Sequence, residues 1–265
     1  MPNSNHVITL LTDFGLRDHY VAAMKGVILG ICPDARIVDV THDVNSYEVA
    51  EAAFLLSQMW TAFPKKTVHV VVVDPGVGSM RRPILAEVGG HRFIAPDNGV
   101  LTAVLTLDGC KVRHITAEKY FRRPVSQTFH GRDIFAPVAA RLAAGKAAAA
   151  KLGPAIDNHL RLTFERPSRT ARRGWTGAIL HVDHFGNVVT NIPIAEFPQL
   201  ETQPFEVNVG FRSVGKLARS YAEMPQGQLC AIVGSSGYLE ISVNQDSAAK
   251  ILGCEAGAPV ELRLL

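Results

Sequence analysis

Cysteine is scarce in this chain, and what there is forms no pattern. The four thiols, Cys32, Cys110, Cys230 and Cys254, are scattered with no C-x-x-C pair. That spacing argues against a disulfide framework or a zinc knuckle and for buried free thiols. Long apolar runs are missing too: none reaches the roughly 18 residues a membrane helix needs, and mean hydropathy is only +0.12. No membrane partner is expected. The polar start, Met1 to His6, leads into an apolar strand without the basic-then-apolar layout of a secretory signal, so a cytoplasmic location is expected. Charge of one sign is also lacking. A net charge of +3 is too mild to suggest nucleic-acid binding. The one basic cluster, Arg169, Arg172 and Arg173, reads as part of a solvated linker. Finally, the phosphate cradles are absent: no G-x-G-x-x-G follows the first strand, and G-x-x-x-x-G-K-[ST] occurs nowhere.

What is present first alternates strand and helix. Val7 to Leu11 is a short apolar run. A helical stretch opens at Asp18, with Val21, Met24, Ile28 and Ile31 near helical spacing, and Pro33 closes it. Arg36 to Val40 reads as the next strand. Asn45 and Glu48 have the spacing of a capping box ahead of a helix whose face is Val49, Ala53, Leu56 and Trp60. Thr67 to Val73 is mostly valine, the pattern of a strand buried on both faces. Shorter strands follow at Ile84 to Val88 and Arg92 to Ala95, and a helix is expected from about Asp133, as its N-cap, to Ala144. These βαβ units imply an N-terminal α/β domain built on a parallel sheet. From about Asp157 to Gly174 the composition turns polar, basic and proline-bearing. Beyond it, Ala178–Val182, Val188–Ile192, Phe205–Val209, Cys230–Val233, Tyr238–Val243 and Val260–Leu264 read as strands, with one helix at Ser247–Leu252. The expected domains are 1–160, α/β, and 174–265, a smaller antiparallel β domain.

In open parallel sheets, ligands bind beyond the carboxyl ends of the strands. The segments there are repeatedly acidic: Thr12-Asp13-Phe14-Gly15, Asp74-Pro75-Gly76-Val77-Gly78-Ser79 and Pro96-Asp97-Asn98-Gly99. Phe129-His130-Gly131-Arg132-Asp133 precedes the last helix of this domain, and Asp183-His184-Phe185-Gly186-Asn187 forms a turn in the β domain. Any one of these turns has an ordinary explanation, since Asp and Asn beside Gly form turns and cap helices. Their repetition at one sheet edge is what points to a site. A carboxylate repels phosphate, so acidic strand ends without a phosphate cradle suit a ligand with hydroxyls and positive charge. S-adenosyl-L-methionine has that profile.

These motifs occur in order with Phe185-Gly186-Asn187-Val188-Val189-Thr190-Asn191 and Gly237-Tyr238-Leu239-Glu240-Ile241. Together they resemble the S-adenosyl-L-methionine hydroxide adenosyltransferase family, hydrolytic relatives of the fluorinase and chlorinase, over nearly the whole chain. The resemblance implies an enzyme that splits S-adenosyl-L-methionine into adenosine and L-methionine, with no cofactor or metal. It also implies a homotrimer, with the ligand between the N-terminal domain of one subunit and the C-terminal domain of the next. The Asp, Arg, His set around the nucleophilic water falls, by motif position, on Asp74, Arg81 and His130, with Arg82 adjacent to Arg81. Asp13 matches the carboxylate that holds the ribose hydroxyls. Asn187 matches an adenosine-contacting amide, with Phe185 packed near it. Ser235, Glu240 and Val243 fall in the segment that closes over the nucleoside, and Asp183 would face the methionine ammonium. In the halogenases an aromatic hydroxyl replaces the aspartate of the Asp-Pro-Gly motif; keeping Asp74 and His130 favours water over halide.

The chemistry is consistent with those residue types. The sulfonium leaves as a neutral thioether, so the demand falls on the nucleophile. Free water has a pKa of about 15.7, and a carboxylate, an imidazole and a guanidinium can share its activation. Three alternatives stay open from the sequence. A halogenase would need an anion pocket that Asp74 opposes. A metal-dependent hydrolase could gather Asp13, Asp74, Asp97 and His130, although no paired-histidine motif accompanies them. A non-catalytic nucleoside-binding protein would not need Asp74, Arg81 and His130 together.

Overall fold

The computed structural model describes residues 6–265; the first five residues of the polar N-terminal stretch, Met1–Asn5, lie outside the described residues. The chain forms two compact units that divide between Leu162 and Thr163.

The first unit holds β1 (Val7–Thr12), α1 (Tyr20–Ile31), β2 (Arg36–Thr41), α2 (Val49–Met59), β3 (Val68–Val72), β4 (Pro83–Val88), β5 (His91–Pro96), α3 (Thr102–Leu105), β6 (Lys111–His114) and α4 (Ala136–Ala143). Its six-stranded sheet has the order β2-β1-β3-β5-β4-β6. The first four strands in that order run parallel, as expected from the βαβ pattern, and β4 and β6 add an antiparallel side. The β4–β5 hairpin turns through Gly89 and Gly90, both at positive φ, the backbone that a tight two-residue hairpin requires. β3 is buried along its whole length. Val68, Val70 and Val72 enter one core with Met24 and Ile28 of α1 and Val138 of α4. Val71, with Val73 just past the strand, enters another with Leu56 of α2 and Val104 of α3. The strand period of two thus feeds helices on both faces. The C-terminal ends of β1, β3 and β5 consequently share one edge, where Asp13, Asp74 and Asp97 follow them.

Two local expectations fail. The capping box does not form, because Asn45, Tyr47 and Glu48 close a separate turn in which the Glu48 N–H donates to the Asn45 carbonyl and Tyr47 takes φ +70°. Glu51, one turn further on, accepts from the Asn45 N–H instead, at 2.9 Å. Nor is Asp133 an N-cap. It lies inside a π-helical turn, Gly131–Phe135, that runs into α4. Pro137 has no N–H to give the Asp133 carbonyl, which accepts from the Arg122 N–H at 2.8 Å, and the chain widens into a π turn there. Gly145, at φ +68°, follows the end of α4 as expected for a helix terminator.

The second unit holds β7 (Ser168–Ala171), β8 (Gly174–Val182), β9 (Val188–Pro193), β10 (Phe205–Val209), β11 (Arg212–Val214), β12 (Leu217–Ala218), β13 (Leu229–Val233), β14 (Tyr238–Val243), α5 (Ala248–Leu252) and β15 (Pro259–Leu264). The sheet order is β11-β10-β15-β8-β9-β14-β13-β12, with β7 paired to β8. Only the β12–β13 pair is parallel. β8 pairs with β15 through its first half and with β9 through its second, so the sheet curls around a core that includes Ile192, Val207, Leu239 and Val260. Part of the segment read as a linker is therefore a strand: β7 carries Arg169, whose guanidinium lies 5.7 Å from the Trp175 ring centroid.

Asp133 is fully buried. Arg132 donates to both its oxygens at 2.7 and 2.8 Å, the Ser126 N–H to Oδ2 at 2.9 Å, and Arg122 to Oδ1 at 3.2 Å. Burial alone would raise its pKa; these donors outweigh burial and hold it below the ordinary carboxylate value. The stabilisation is therefore complete above about pH 4 and is lost as pH falls through the lower folded value. Asp133→Ala is expected to cost about 2–4 kcal/mol in urea unfolding at neutral pH. The gap to the parent protein should narrow in acid, and an undiminished gap at pH 3 would contradict this account.

Candidate active site

The loop after β3 returns on itself so that Arg81 faces Asp74. The Arg81 Nε donates to Asp74 Oδ1 at 2.8 Å, and Nη2 donates to Oδ2 in a fork. The same Nη2 lies 2.9 Å from His130 Nδ1. A guanidinium only donates, so His130 Nδ1 must accept, and a neutral ring carries its proton on Nε2. The side chains of Asp74 and Arg81 are 5% and 9% exposed. Arg81 Nη1 is buried and has no partner among the described residues, the kind of orphaned donor that calls for a functional explanation. Phe135 supports the guanidinium from its face, at 5.2 Å. Gly78 lets this loop lie against the segment bearing His130: it has φ +78°, and a Cβ there would sit 2.4 Å from the Gln127 carbonyl.

A cavity of about 190 Å³ opens beside this cluster, lined by Asp13, Phe14, Tyr47, Asp74, Thr128 and His130 among others. Asp13 is held from two sides. Thr12 Oγ1 lies 2.8 Å from His42 Nδ1, and the Gly15 N–H donates to the His42 carbonyl at 2.7 Å. The Tyr47 N–H donates to Asp13 Oδ2 at 3.0 Å. Burial raises the pKa of Asp13; its hydrogen bonds oppose this, and the Asp74 carboxylate adds to it. His130 moves the other way. Burial, then the Arg81 charge, push it below 6.5, against the weaker pull of Asp74 and Asp133.

The structure separates the two adjacent arginines. Arg81 belongs to the cluster, whereas Arg82 donates to Asp97 Oδ2 at 2.9 and 2.6 Å and to Asn158 Oδ1 at 2.8 Å. Asp97 therefore does not line the cavity, although it follows the neighbouring strand on the same edge. Among the described residues no group of three or more His, Cys, Asp or Glu side chains is placed to hold a metal ion, so Asp13, Asp74, Asp97 and His130 do not converge as one ligand set.

In the second unit the β8–β9 turn carries Asp183, Phe185 and Asn187. Asp183 Oδ1 accepts from the Phe185 and Asn187 N–H groups at 2.9 and 2.8 Å, and Oδ2 from Asn187 Nδ2 at 2.8 Å. The carboxylate thus orders its own turn. Gly186 allows that turn to meet α5; a Cβ there would lie 2.0 Å from Ser247 Oγ. A cavity of about 670 Å³ is lined by Asp183, Phe185, Asn187, Tyr221, Val243 and Lys250 among others. Phe185 is 75% exposed. Glu240 does not line this cavity but is buried behind it, where its Oε1 accepts from Tyr221 at 2.9 Å and Ser242 at 2.8 Å. Burial and the Glu240 carboxylate push the Tyr221 phenol up to about 12. Ser235 is exposed and outside the cavity lining. Sequence reasoning missed Tyr47, Thr128, Tyr221 and Lys250. Tyr47 acts through a backbone N–H, and the others lie in no motif, so no local signal marked them.

Fold and site together describe a two-unit protein with a carboxylate, guanidinium and imidazole gathered at the edge of a mostly parallel sheet. The profile of the SAM hydroxide adenosyltransferase N-terminal domain matches residues 8–153, and that of the C-terminal domain matches residues 177–261. The chain belongs to this family. It is 40% identical over 253 residues to a protein of Salinispora arenicola named (R)-S-adenosyl-L-methionine hydrolase, covering 94% of this chain and 95% of that one. A protein of the same name from Thermus thermophilus is 36% identical over 96% of this chain and 98% of its own length. A fluorinase from Nocardia brasiliensis is 27% identical, covering 97% of each. The crystal structure of an uncharacterized conserved protein from Thermotoga maritima matches with a TM-score of 0.89 at 38% identity, covering 97% of this chain and 99% of that one.

The charges around His130 fix the sign of a titration experiment. Its imidazole, assigned in NMR spectra by comparison with His130→Gln, should titrate below 6.5. Asp74→Asn should lower that midpoint further, because the Asp74 charge favours imidazolium. A midpoint above 6.5, or an upward shift in Asp74→Asn, would contradict the assigned arrangement.

Proposed function

We propose that this protein hydrolyses S-adenosyl-L-methionine to adenosine and L-methionine by attack of water at ribose C5′, with the sulfonium sulfur leaving as the neutral thioether of methionine. The observation that carries this reading is the Asp74–Arg81–His130 cluster beside a cavity that also presents Asp13. The names of the relatives specify the R configuration at sulfur, and that epimer is the proposed substrate.

The hydrogen bonds support a division of roles. With Nδ1 taken by Arg81, His130 offers an Nε2–H donor, which can orient the water through its oxygen. Asp74 keeps a lone pair on each oxygen beyond those that Arg81 occupies. It is the proposed acceptor of the water proton, released as the new C–O bond turns the attacking oxygen acidic. Arg81 remains charged throughout and holds the Asp74 carboxylate and the His130 ring in place while the proton moves. Attack discharges the sulfonium, so a half-buried site favours the transition state over the charged ground state. Asp13 accepts from the ribose diol. Asp74 opposes a halide, which makes water the better nucleophile. No step calls for a metal or a cofactor.

The second unit is proposed to hold the rest of the ligand. Asn187 contacts adenosine through its free Oδ1, and the exposed Phe185 ring offers a face for the base. Val243 lines this cavity, and Ser235 and Glu240, outside its lining, belong to the segment proposed to close over the nucleoside; Asp183 keeps a lone pair for the ammonium group. The cavity of about 190 Å³ in the first unit is below the roughly 300 Å³ at which drug-sized ligands are enclosed, which supports a site completed by another subunit in a homotrimer. Four free thiols suit a reducing compartment, and a cytoplasmic location is proposed with them.

Turnover in ¹⁸O-water should label the 5′-oxygen of adenosine and leave methionine unlabelled, with or without chelator. A 5′-halonucleoside formed in chloride, or activity lost to chelator and restored by a divalent ion, would overturn direct attack by water. The same assay separates binding from chemistry. Asp13→Ala should weaken affinity about ten- to a hundredfold, whereas His130→Ala and Asp74→Asn should lower kcat by about 10² or more with little change in affinity. Sedimentation at micromolar concentration should give a species of about three times the 28.7 kDa chain mass; a fully active monomer would rule out the shared site.

A further inference from the structure

The Pro96–Gly99 turn lines no part of the cavity, yet its side chains reach both ends of the loop that bears Asp74 and Arg81. At the near end, Asn98 Nδ2 donates to the Val73 carbonyl at 2.8 Å. Val73 is fully buried and lies one residue past β3, so its carbonyl falls outside the strand ladder and needs another donor. At the far end, the Asp97 N–H donates to the Arg82 carbonyl at 2.8 Å, and the Asp97 carboxylate takes the Arg82 guanidinium. Asp97 is itself 3% exposed. Its Oδ1 accepts from the Leu160 N–H at 2.8 Å, which ties the turn to the remainder of the unit. Ordinary turn chemistry accounts for only one of these groups: Asn98 Oδ1 accepts from the Val100 N–H within its own turn.

Between its two ends the loop is held by bonds within itself: the Asp74–Arg81 fork, and Ser79 Oγ, which donates to the Gly76 carbonyl at 2.7 Å and accepts from the Arg81 N–H at 3.2 Å. Pro75, Gly78, Ser79 and Met80 are exposed, and Met80 is 97% so. Its internal backbone bonds are the Val77 N–H to the Asp74 carbonyl and the Ser79 N–H to the Gly76 carbonyl, at 3.2 and 3.1 Å. A loop this exposed keeps one geometry only if its ends are fixed. Asn98 and Asp97 fix them one residue before Asp74 and one residue after Arg81.

We propose that Asn98 and Asp97 are positioning residues that hold Asp74 and Arg81 in register with His130, so that their loss lowers the rate of the chemical step rather than the affinity for substrate. This inference rests on the roles given above to Asp74, Arg81 and His130. A misplacement of about 1 Å at reacting groups can cost on the order of 10²-fold in rate. Neither residue touches the cavity, so substrate contacts stay as they are.

The test is steady-state turnover of S-adenosyl-L-methionine by the full chain carrying Asn98→Asp. That change keeps the oxygen that receives the Val100 N–H and replaces the donor to Val73 with a second acceptor. The expected result is a fall in kcat of about 10- to 100-fold, with KM and the adenosine Kd within about threefold of the parent. Combined with His130→Ala, it should slow the enzyme by no more than about threefold beyond His130→Ala alone, because residues acting through one unit are not additive. Thr102→Ala, which removes the acceptor of the Leu162 N–H at 2.7 Å near the same turn, should lower Tm yet leave kcat within about twofold. The proposal is overturned if folded Asn98→Asp keeps the parent kcat, if its loss multiplies with that of His130→Ala, or if Thr102→Ala slows turnover equally. If Asn98→Asp does not fold, Asn98→Ser, too short to reach Val73, is held to the same criteria. The two levels of inference fail differently: His130→Ala at the parent rate would sink the catalytic reading itself, whereas slow His130→Ala with fast Asn98→Asp would sink the clamp alone.

Discussion

A guanidinium wedged between a carboxylate and an imidazole is the contact around which the first unit is arranged. Arg81 satisfies Asp74 in a fork and reaches His130 Nδ1 with the same Nη2. This one side chain does three things. It keeps a largely buried carboxylate paired, which burial otherwise penalises. It fixes which imidazole nitrogen carries the proton. It also leaves a buried donor uncommitted. Much of the surrounding structure serves that contact: Phe135 on the guanidinium face, Gly78 where the loop meets Gln127, and the π turn after His130.

The π turn illustrates how a local constraint is converted into a site. Pro137 cannot complete an α-helical bond to the Asp133 carbonyl, so the helix begins wide, and His130 and Gly131 stand at its mouth. Asp133, buried beneath, collects Arg132, Arg122 and the Ser126 amide and thereby ties the segment 122–126 to the start of α4. Three aspartates near one another in space therefore divide into two opposite characters. Asp133 is spent entirely on structure, whereas Asp13 and Asp74 keep lone pairs facing the cavity. The second unit divides its groups in the same way. Asp183 spends most of its hydrogen-bonding capacity on its own turn, and Phe185 stays exposed at the surface.

Legibility in the sequence followed the range of the interactions. The valine run of β3 and the apolar spacing of α1 announced buried elements because their cores are continuous. β6, β7, β11 and β12 were not legible. They are two to four residues long, and β6, β7 and β11 carry charged or polar side chains at exposed positions, so pairing partners rather than their own pattern make them strands. The acidic strand ends pointed to Asp13 and Asp74 through topology alone. Topology equally pointed to Asp97, which the fold turned instead toward Arg82.

What the sequence by itself determined was the family, the two-part α/β and β organisation, and the residue types at the sheet edge. These are written in contiguous motifs and in periodicities of two and near four, which report on neighbours close in the chain. Tertiary structure alone decided which of two adjacent arginines meets Asp74, that His130 Nδ1 accepts, that Asp133 is buried rather than capping, and that Asn98 reaches Val73. Each of these depends on a loop closing against another segment, from 7 residues away for Asp74 and Arg81 to 49 for Arg81 and His130. Arg81 and Arg82 have the same chemistry and differ only in the direction the backbone gives them, a property that no local pattern encodes.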